Sequence, residues 1–214
     1  MKKLGIIALL CCFASLLFAE VNQEAVALLD KTSSIYKNST GTEISLKISI
    51  DDAQTGQSQS VNGTLKTRDK RFVLSTSFAT MNFDGTNLYI YQPDVNEITI
   101  SSPSNEDVKD MDPTQIMSSY SEGFKIPQPE YVTENGKKIA IVSLYPEDKA
   151  EDFHRLSLKI DLSNNFPLQI TTYGKNGMTN TVDILKIETN KNYSEKELLF
   201  DLNKYPKAQV IDIR

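Results

Sequence analysis

The strongest constraint on this chain is a period-two alternation that begins at Thr42 and recurs almost to the end. In "TEISLKISID" the residues Ile44, Leu46, Ile48 and Ile50 fall on one side, and Glu43, Ser45, Lys47, Ser49 and Asp51 on the other. Successive strand side chains point to opposite faces, so such a run builds a sheet with one dry face and one wet face. Val61, Gly63 and Leu65 repeat the pattern weakly. "RFVLSTSF" repeats it through Phe72, Leu74, Thr76 and Phe78, and "FHRLSLKIDL" through Leu156, Leu158, Ile160 and Leu162. Turn signals such as "AQTGQ", Asp84-Gly85, Asn135-Gly136 and "GKNG" separate the runs at hairpin spacing. The tail "KELLFDLNKYPKAQVIDIR" predicts one or two short strands more. The pattern predicts about ten or eleven mostly antiparallel strands. A long up-and-down sheet with one apolar face curls or closes, and its dry side is filled by side chains, helices or a ligand.

Two segments break the alternation. Residues 21–39 place Val21, Ala25, Leu28, Leu29, Ile35 and Tyr36 at helical spacing, which predicts an amphipathic helix ended by Gly41. Residues 101–131 are polar and carry four prolines. Within them Asp112-Pro113 predicts the start of a second, short helix, with Ile116, Met117 and Tyr120 as its expected apolar stripe and Gly123 as its expected stop. Phe124 and Ile126 follow in "FKIPQP", which its prolines keep out of a central strand. An insertion of this length carrying apolar residues is the kind of loop that performs a function. The stretch "MNFDGTNLYIYQPDVNEITI" poses a separate question. It reads as a strand before the Asp-Gly turn, one after it and a third at "NEITI", yet Leu88 and Ile90 interleave with Tyr89 and Tyr91, so neither face is plainly polar.

The first residues predict export. Lys2 and Lys3 precede an uncharged apolar run, and Ala19 stands before Glu20, which is the layout of a cleavable signal peptide covering residues 1–19. Acylation at Cys11 or Cys12 is the rival reading, opposed by the bulky Leu9 and Leu10 before them. Both cysteines lie in this leader, so residues 20–214 hold no disulfide, thiolate metal site or cysteine nucleophile and need an ordinary core, expected as one domain. The net charge is −5, and losing Lys2 and Lys3 makes it more negative. That balance argues against nucleic acid and against broad adsorption to anionic lipid.

Chemistry-bearing motifs are absent from the sequence. The nine glycines form no G-x-G-x-x-G or Walker loop, and there is no G-x-S-x-G elbow. His154, the single histidine, sits among charges at a loop-to-strand junction and reads as a surface residue. Asp51-Asp52 and Glu106-Asp107 lie in turns or polar loops, and no run has the spacing of a calcium loop. An enzyme, a metal and a cofactor are therefore not expected. "KTRDKR", with Lys66, Arg68, Lys70 and Arg71, reads either as a solvated hairpin turn or as a docking patch.

The order of these elements resembles the LolA family of periplasmic outer-membrane lipoprotein carriers. The resemblance rests on the first helix, then "GTLKTRDKRFVL", then "FDGTNLYIYQPDVNEI" with Asp84-Gly85, Tyr89, Tyr91 and Pro93, then "DPTQIMSSY", "LSLKIDLSNNFPLQI" and the terminal "VIDIR". It implies an incomplete antiparallel β-barrel, covered by the N-terminal helix and a short lid helix, around an apolar cavity that shields acyl chains. On this reading Leu46, Ile48, Leu65, Phe72, Leu74, Met81, Tyr89 and Tyr91 line the cavity, with Tyr89 and Tyr91 facing in and Leu88 and Ile90 turned away. Ile116, Met117, Tyr120, Phe124 and Ile126 form a weakly held lid, for which methionine and loop-borne aliphatics are suited. Members often have an Arg-Pro step whose arginine holds the lid shut; here the stretch is "RDKRF" without proline, so Arg68 and Arg71 are both candidates for that lock or for partner docking. The implied partners are acylated lipoproteins, an inner-membrane LolCDE-like ABC release complex and a possible outer-membrane acceptor, served by a monomer without cofactor. The alternative is a lipid- or lipoprotein-binding sensor module on the same fold, or a specialised lipid carrier.

Overall fold

The alternating runs become strands of one large sheet. The computed structural model describes residues 21–104 and 123–214. Helix α1 (Gln23–Lys37) comes first, followed by β1 (Thr42–Asp52), β2 (Gln57–Arg68), β3 (Arg71–Thr76), β4 (Thr80–Phe83), β5 (Leu88–Gln92) and β6 (Glu97–Ser101). Then come β7 (Phe124–Lys125), β8 (Glu130–Glu134), β9 (Lys137–Pro146), β10 (Phe153–Asp161), β11 (Pro167–Gly174) and β12 (Met178–Glu188). The chain ends with a single-turn helix α2 (Glu195–Leu198), a 3-10 turn (Leu202–Lys204) and β13 (Gln209–Asp212).

The spatial order is β13-β6-β5-β4-β3-β2-β1-β12-β11-β10-β9-β7, with β8 also on β9. All of these strand pairings are antiparallel except β13 on β6. Among the described residues the two ends of the sheet are not paired with each other, so the fold is an open, curved barrel. There are thirteen strands rather than ten or eleven. The surplus consists of short pieces such as the two-residue β7, too brief to show an alternation of their own. The hairpin turns follow the sequence signals: Asn135 and Gly136 both have positive φ, and Asp84 accepts the amides of Thr86 and Asn87 ahead of β5. Where β1 meets β12, a register shift leaves Leu185 with no opposite residue, a bulge that bends the long central strands.

Helix α1 starts at an Asn22 cap whose Oδ1 accepts the Glu24 and Ala25 amides at 3.0 and 3.1 Å. It ends at Lys37 with Asn38 as its C-cap, before Gly41. Gly41 is required for a different reason than ending the helix: a Cβ there would stand 2.5 Å from the Lys191 carbonyl oxygen. Ala25, Leu28 and Leu29 pack on Ala140, Val142, Leu144, Leu156, Leu158, Ile160 and Ile170 of β9–β11. A second buried group lies across β1–β5: Ile44, Leu46, Leu65, Phe72, Phe83 and Leu88. No buried residue of α1 belongs to that group; of this helix, the half-buried Tyr36 reaches both. The predicted lid helix, with Ile116, Met117 and Tyr120, lies outside the described residues.

Candidate functional site

Strand registry decides which side chains share a face. β2, β3, β4 and β5 align Thr67 with Phe72, Phe72 with Phe83, and Phe83 with Leu88. The next row on the same face runs Ile187, Ile44, Leu65, Leu74, Met81, Ile90. Leu46 and Ile48 continue it along β1. Six of the predicted cavity residues, Leu46, Ile48, Leu65, Phe72, Leu74 and Met81, are thus brought together on the inner face. Leu46, Leu65 and Phe72 are buried. Ile48, Leu74, Met81 and Ile90 remain half-buried against them and form an aliphatic strip.

Tyr89 and Tyr91 lie on the opposite face, which reverses the expected parity. Because Leu88 pairs with Phe83, the intervening tyrosines project outward. The outer face of β4–β6 is not bare. The segment from Tyr193 to Ala208 crosses it, Phe200 stacks on Tyr89 with ring centroids 5.1 Å apart, and Tyr205 meets Tyr91 at 4.2 Å. Beneath this cover Ile98, Ile100 and Leu198 are buried. Both faces of β5 are therefore packed, the inner one by aliphatics and the outer one by tyrosines whose rings bury while their hydroxyls reach polar groups. Burial, then the charge of Asp84, raises the Tyr89 phenol above its ordinary range.

The two arginines also belong to the outer face and hold this C-terminal segment. Arg68 donates through Nη1 to the Tyr193 carbonyl at 2.5 Å. Arg71 donates through Nε to the Asp84 carbonyl at 3.1 Å, and its Nη1 is 3.8 Å from Glu195. Tyr193 itself donates to Glu43 at 2.9 Å, with the Lys66 ammonium 5.4 Å from its ring centre. Burial, and next the Glu43 carboxylate, raise the Tyr193 phenol well above its ordinary range. Between them the arginines tie the start of the C-terminal segment, at Tyr193 and Glu195, to the β2–β3 hairpin.

Of the expected lid, Ile126 is a buried member of the core and Phe124 packs half-buried against it. Ile126 is 1% exposed, and its carbonyl accepts the Asn22 amide at 2.7 Å, which ties it to the start of α1. Phe124 pairs in β7 with Pro146 of β9 and sits 6.3 Å from the Phe153 ring. The prolines keep this segment out of the sheet interior, as expected, but leave it an edge position against a buried strand.

The C-terminal segment, expected as one or two short strands, holds β13 alone as a strand. Ahead of it Ser194 and Glu197 make a capping box, the Glu197 carboxylate accepting from the Ser194 amide at 2.9 Å and hydroxyl at 2.8 Å. "SEKE" is the sequence signal that identifies that helix start.

The family model described as "Outer membrane lipoprotein carrier protein LolA" matches residues 15–172. The chain belongs to this LolA family. No curated protein matches the sequence. Among solved structures, an uncharacterised conserved protein from Thermus thermophilus shares the fold at TM-score 0.58 and 12% identity, over 89% of this chain and 99% of its own. A DUF1329 family protein from Desulfovibrio piger matches at TM-score 0.50 and 11% identity, over 83% of this chain and 96% of its own. The Mycobacterium tuberculosis lipoprotein LppX gives TM-score 0.47 and 10% identity, over 81% and 98%.

Proposed function

We propose that this chain is an envelope carrier that lays the acyl chains of lipoproteins against the inner face of β1–β5 and moves them from the inner to the outer membrane. The observation that supports this reading best is the unequal finish of the inner face. α1 fills the β9–β11 half, whereas Ile48, Leu74, Met81 and Ile90 form a half-buried aliphatic strip on the other half. An acyl chain crossing water loses about 0.8 kcal/mol per exposed methylene, so a strip of this kind is what such cargo requires. A partly covered groove is also able to release what it binds.

In this reading residues 1–19 are a leader removed after Ala19, and residues 20–214 act as a monomeric carrier domain in the periplasm. Cargo is taken from a LolCDE-like ABC release complex and given to the outer membrane, with or without an acceptor protein there. No bond is made or broken and no cofactor takes part.

The purified mature protein is expected to bind a fluorescent fatty-acyl probe saturably, with purified lipoprotein competing. Leu74→Glu should remove that binding while circular dichroism stays unchanged. A folded sample that shows no saturable binding overturns the proposal. Release of native lipoproteins from inner-membrane preparations distinguishes a carrier from a sensor module, which would bind the probe and release nothing.

A further inference from the structure

We propose that the inner side of β6 receives the polar end of the cargo, and that Glu97 there selects a diacylglyceryl peptide over a lipid ending in phosphate. This deepens the carrier reading and rests on it. The registers set Ser101 opposite Leu88, Thr99 opposite Ile90 and Glu97 opposite Gln92, so these three share the inner face with the aliphatic strip. All three are half-buried, whereas Ile98 and Ile100 between them are buried on the outer side.

β6 thus inverts the pattern of β1–β4, whose apolar residues turn inward. The aliphatic row that starts at Ile187 and crosses Ile44, Leu65, Leu74 and Met81 ends at Ile90, and the next side chain along it is Thr99. Beyond β6, β13 sets Gln209 beside Glu97 and Ile211 beside Thr99. Neighbouring strands lie about 4.8 Å apart, so a carbon chain laid along this row meets the polar margin one strand spacing past Ile90. A groove that hid hydrocarbon alone would gain nothing from that margin. The row therefore orients an amphiphile, with its carbon chains toward β1 and β12 and its polar end at β6.

The side chains at the margin are unengaged: those of Glu97, Thr99 and Ser101 make no hydrogen bond or ion pair with the described residues. The two hydroxyls can donate to ester carbonyls, while a carboxylate only accepts and so suits the N–H groups of a peptide. Glu97 is also the one charged residue that the registers place on the inner face along strands β2–β6. Half-buried beside an apolar strip, its charge is screened less than on an open surface. A phosphate brought to this margin meets like charge, whereas a peptide amide meets an acceptor. The discrimination comes from that repulsion, since the carbon chains of the two lipids are the same.

The test uses the mature chain loaded with a fluorescent fatty-acyl probe. The probe is displaced by a dipalmitoylglyceryl-cysteine lipopeptide or by dipalmitoyl phosphatidylglycerol, each supplied in the same neutral micelles. The lipopeptide should displace it at least tenfold better. Glu97→Gln should narrow that ratio and Glu97→Lys should abolish or reverse it, with affinity for the probe itself within twofold and circular dichroism unchanged. Asp94→Lys makes the charge change of Glu97→Lys on the exposed turn before β6 and should leave the ratio within twofold. A spin label at the polar end of the lipopeptide should broaden the Thr99 and Ser101 amide signals in NMR more than those of Ile44 and Ile187. A ratio near one, a ratio that Glu97→Lys leaves alone or that Asp94→Lys changes equally, or broadening centred on Ile187 overturns the proposal. Probe binding without selectivity rejects this proposal alone, whereas no probe binding rejects the carrier reading and this proposal with it.

Discussion

Along β9–β11 the inner face meets a helix of its own chain, and Leu29, Val142 and Ile160 are all fully buried there. Along β1–β5 the same face, made of the same kinds of residue, keeps Ile48, Leu74, Met81 and Ile90 half-buried. The first half is held at its rim as well. Asp161 closes the turn after β10, accepting from the Ser163 hydroxyl at 2.6 Å and amide at 2.9 Å, with Lys137 3.0 Å away. That turn receives α1, whose Thr32 hydroxyl lies 3.0 Å from the Asn165 carbonyl. One half of the sheet is thus finished as a core, and the other is left with apolar surface beyond what the described residues cover. Stability and cargo binding should accordingly separate between the halves, even though both are lined by aliphatic strands.

The largest way to break this contrast is in the helix-covered half. Leu29→Ala should lower unfolding free energy by about 3 kcal/mol in urea titrations, because a fully buried leucine leaves a cavity. Acyl-probe affinity should stay within about twofold at temperatures where the variant is folded. An equal loss of probe binding would mean that the halves are not independent.

On the other half, reversing one side chain's chemistry across β5 sharpens the parity. Ile90→Asp should weaken probe binding by tenfold or more, about 1.4 kcal/mol. Tyr91→Asp, one residue on but facing the C-terminal segment, should leave it almost unchanged while loosening that segment to protease. The reverse outcome would restore the inward-facing tyrosines.

Asp161 offers a pH test of the α1-bearing rim. The Ser163 hydroxyl, the Ser163 amide and then Lys137 hold its carboxyl down at about 2. A folded-state value below the unfolded one contributes stability that is fully present above about pH 4 and is lost as pH falls toward 2. The contribution should be about 1–2 kcal/mol, read as acid sensitivity of the melting temperature. Asp161→Asn should flatten that dependence.

The smallest expected effect is on the outer face. Tyr193→Phe removes the bond to Glu43 and should cost about 1 kcal/mol. It should make residues 193–208 exchange amide protons faster, with no change in probe affinity. A fall in affinity would connect the C-terminal segment to the inner face.

Much of the strand pattern is legible in the sequence because the information is local. The alternation in β1, the Asn135-Gly136 turn and the Asn-capped first helix each depend on a few neighbouring residues. Leu46 and Leu65 fall on one face because each is flanked by polar or charged neighbours that define the other, and Phe72 and Leu74, which share Val73 between them, are set by Arg71 and Ser75 on their far sides. β5 gives no such contrast, since Leu-Tyr-Ile-Tyr is apolar on both sides. Arg68 and Arg71 look free to reach a lid because their partners, Tyr193 and Glu195, lie far along the chain.

By itself, then, the sequence determined a mainly β chain, free of cysteine beyond its first nineteen residues, with one helix in front and one dry face on most strands. Those properties follow from composition, side-chain period and turn chemistry, none of which needs a distant contact. Only the tertiary structure decided which way β5 turns, that Ile126 is core, and that a C-terminal segment covers the outer face. Each of those outcomes depends on pairing between residues more than a hundred positions apart, such as Asn82 with Leu198 or Asn22 with Ile126. Where both sides of a strand are apolar, the face it turns inward is set by what arrives to cover each side, and local pattern carries no record of that.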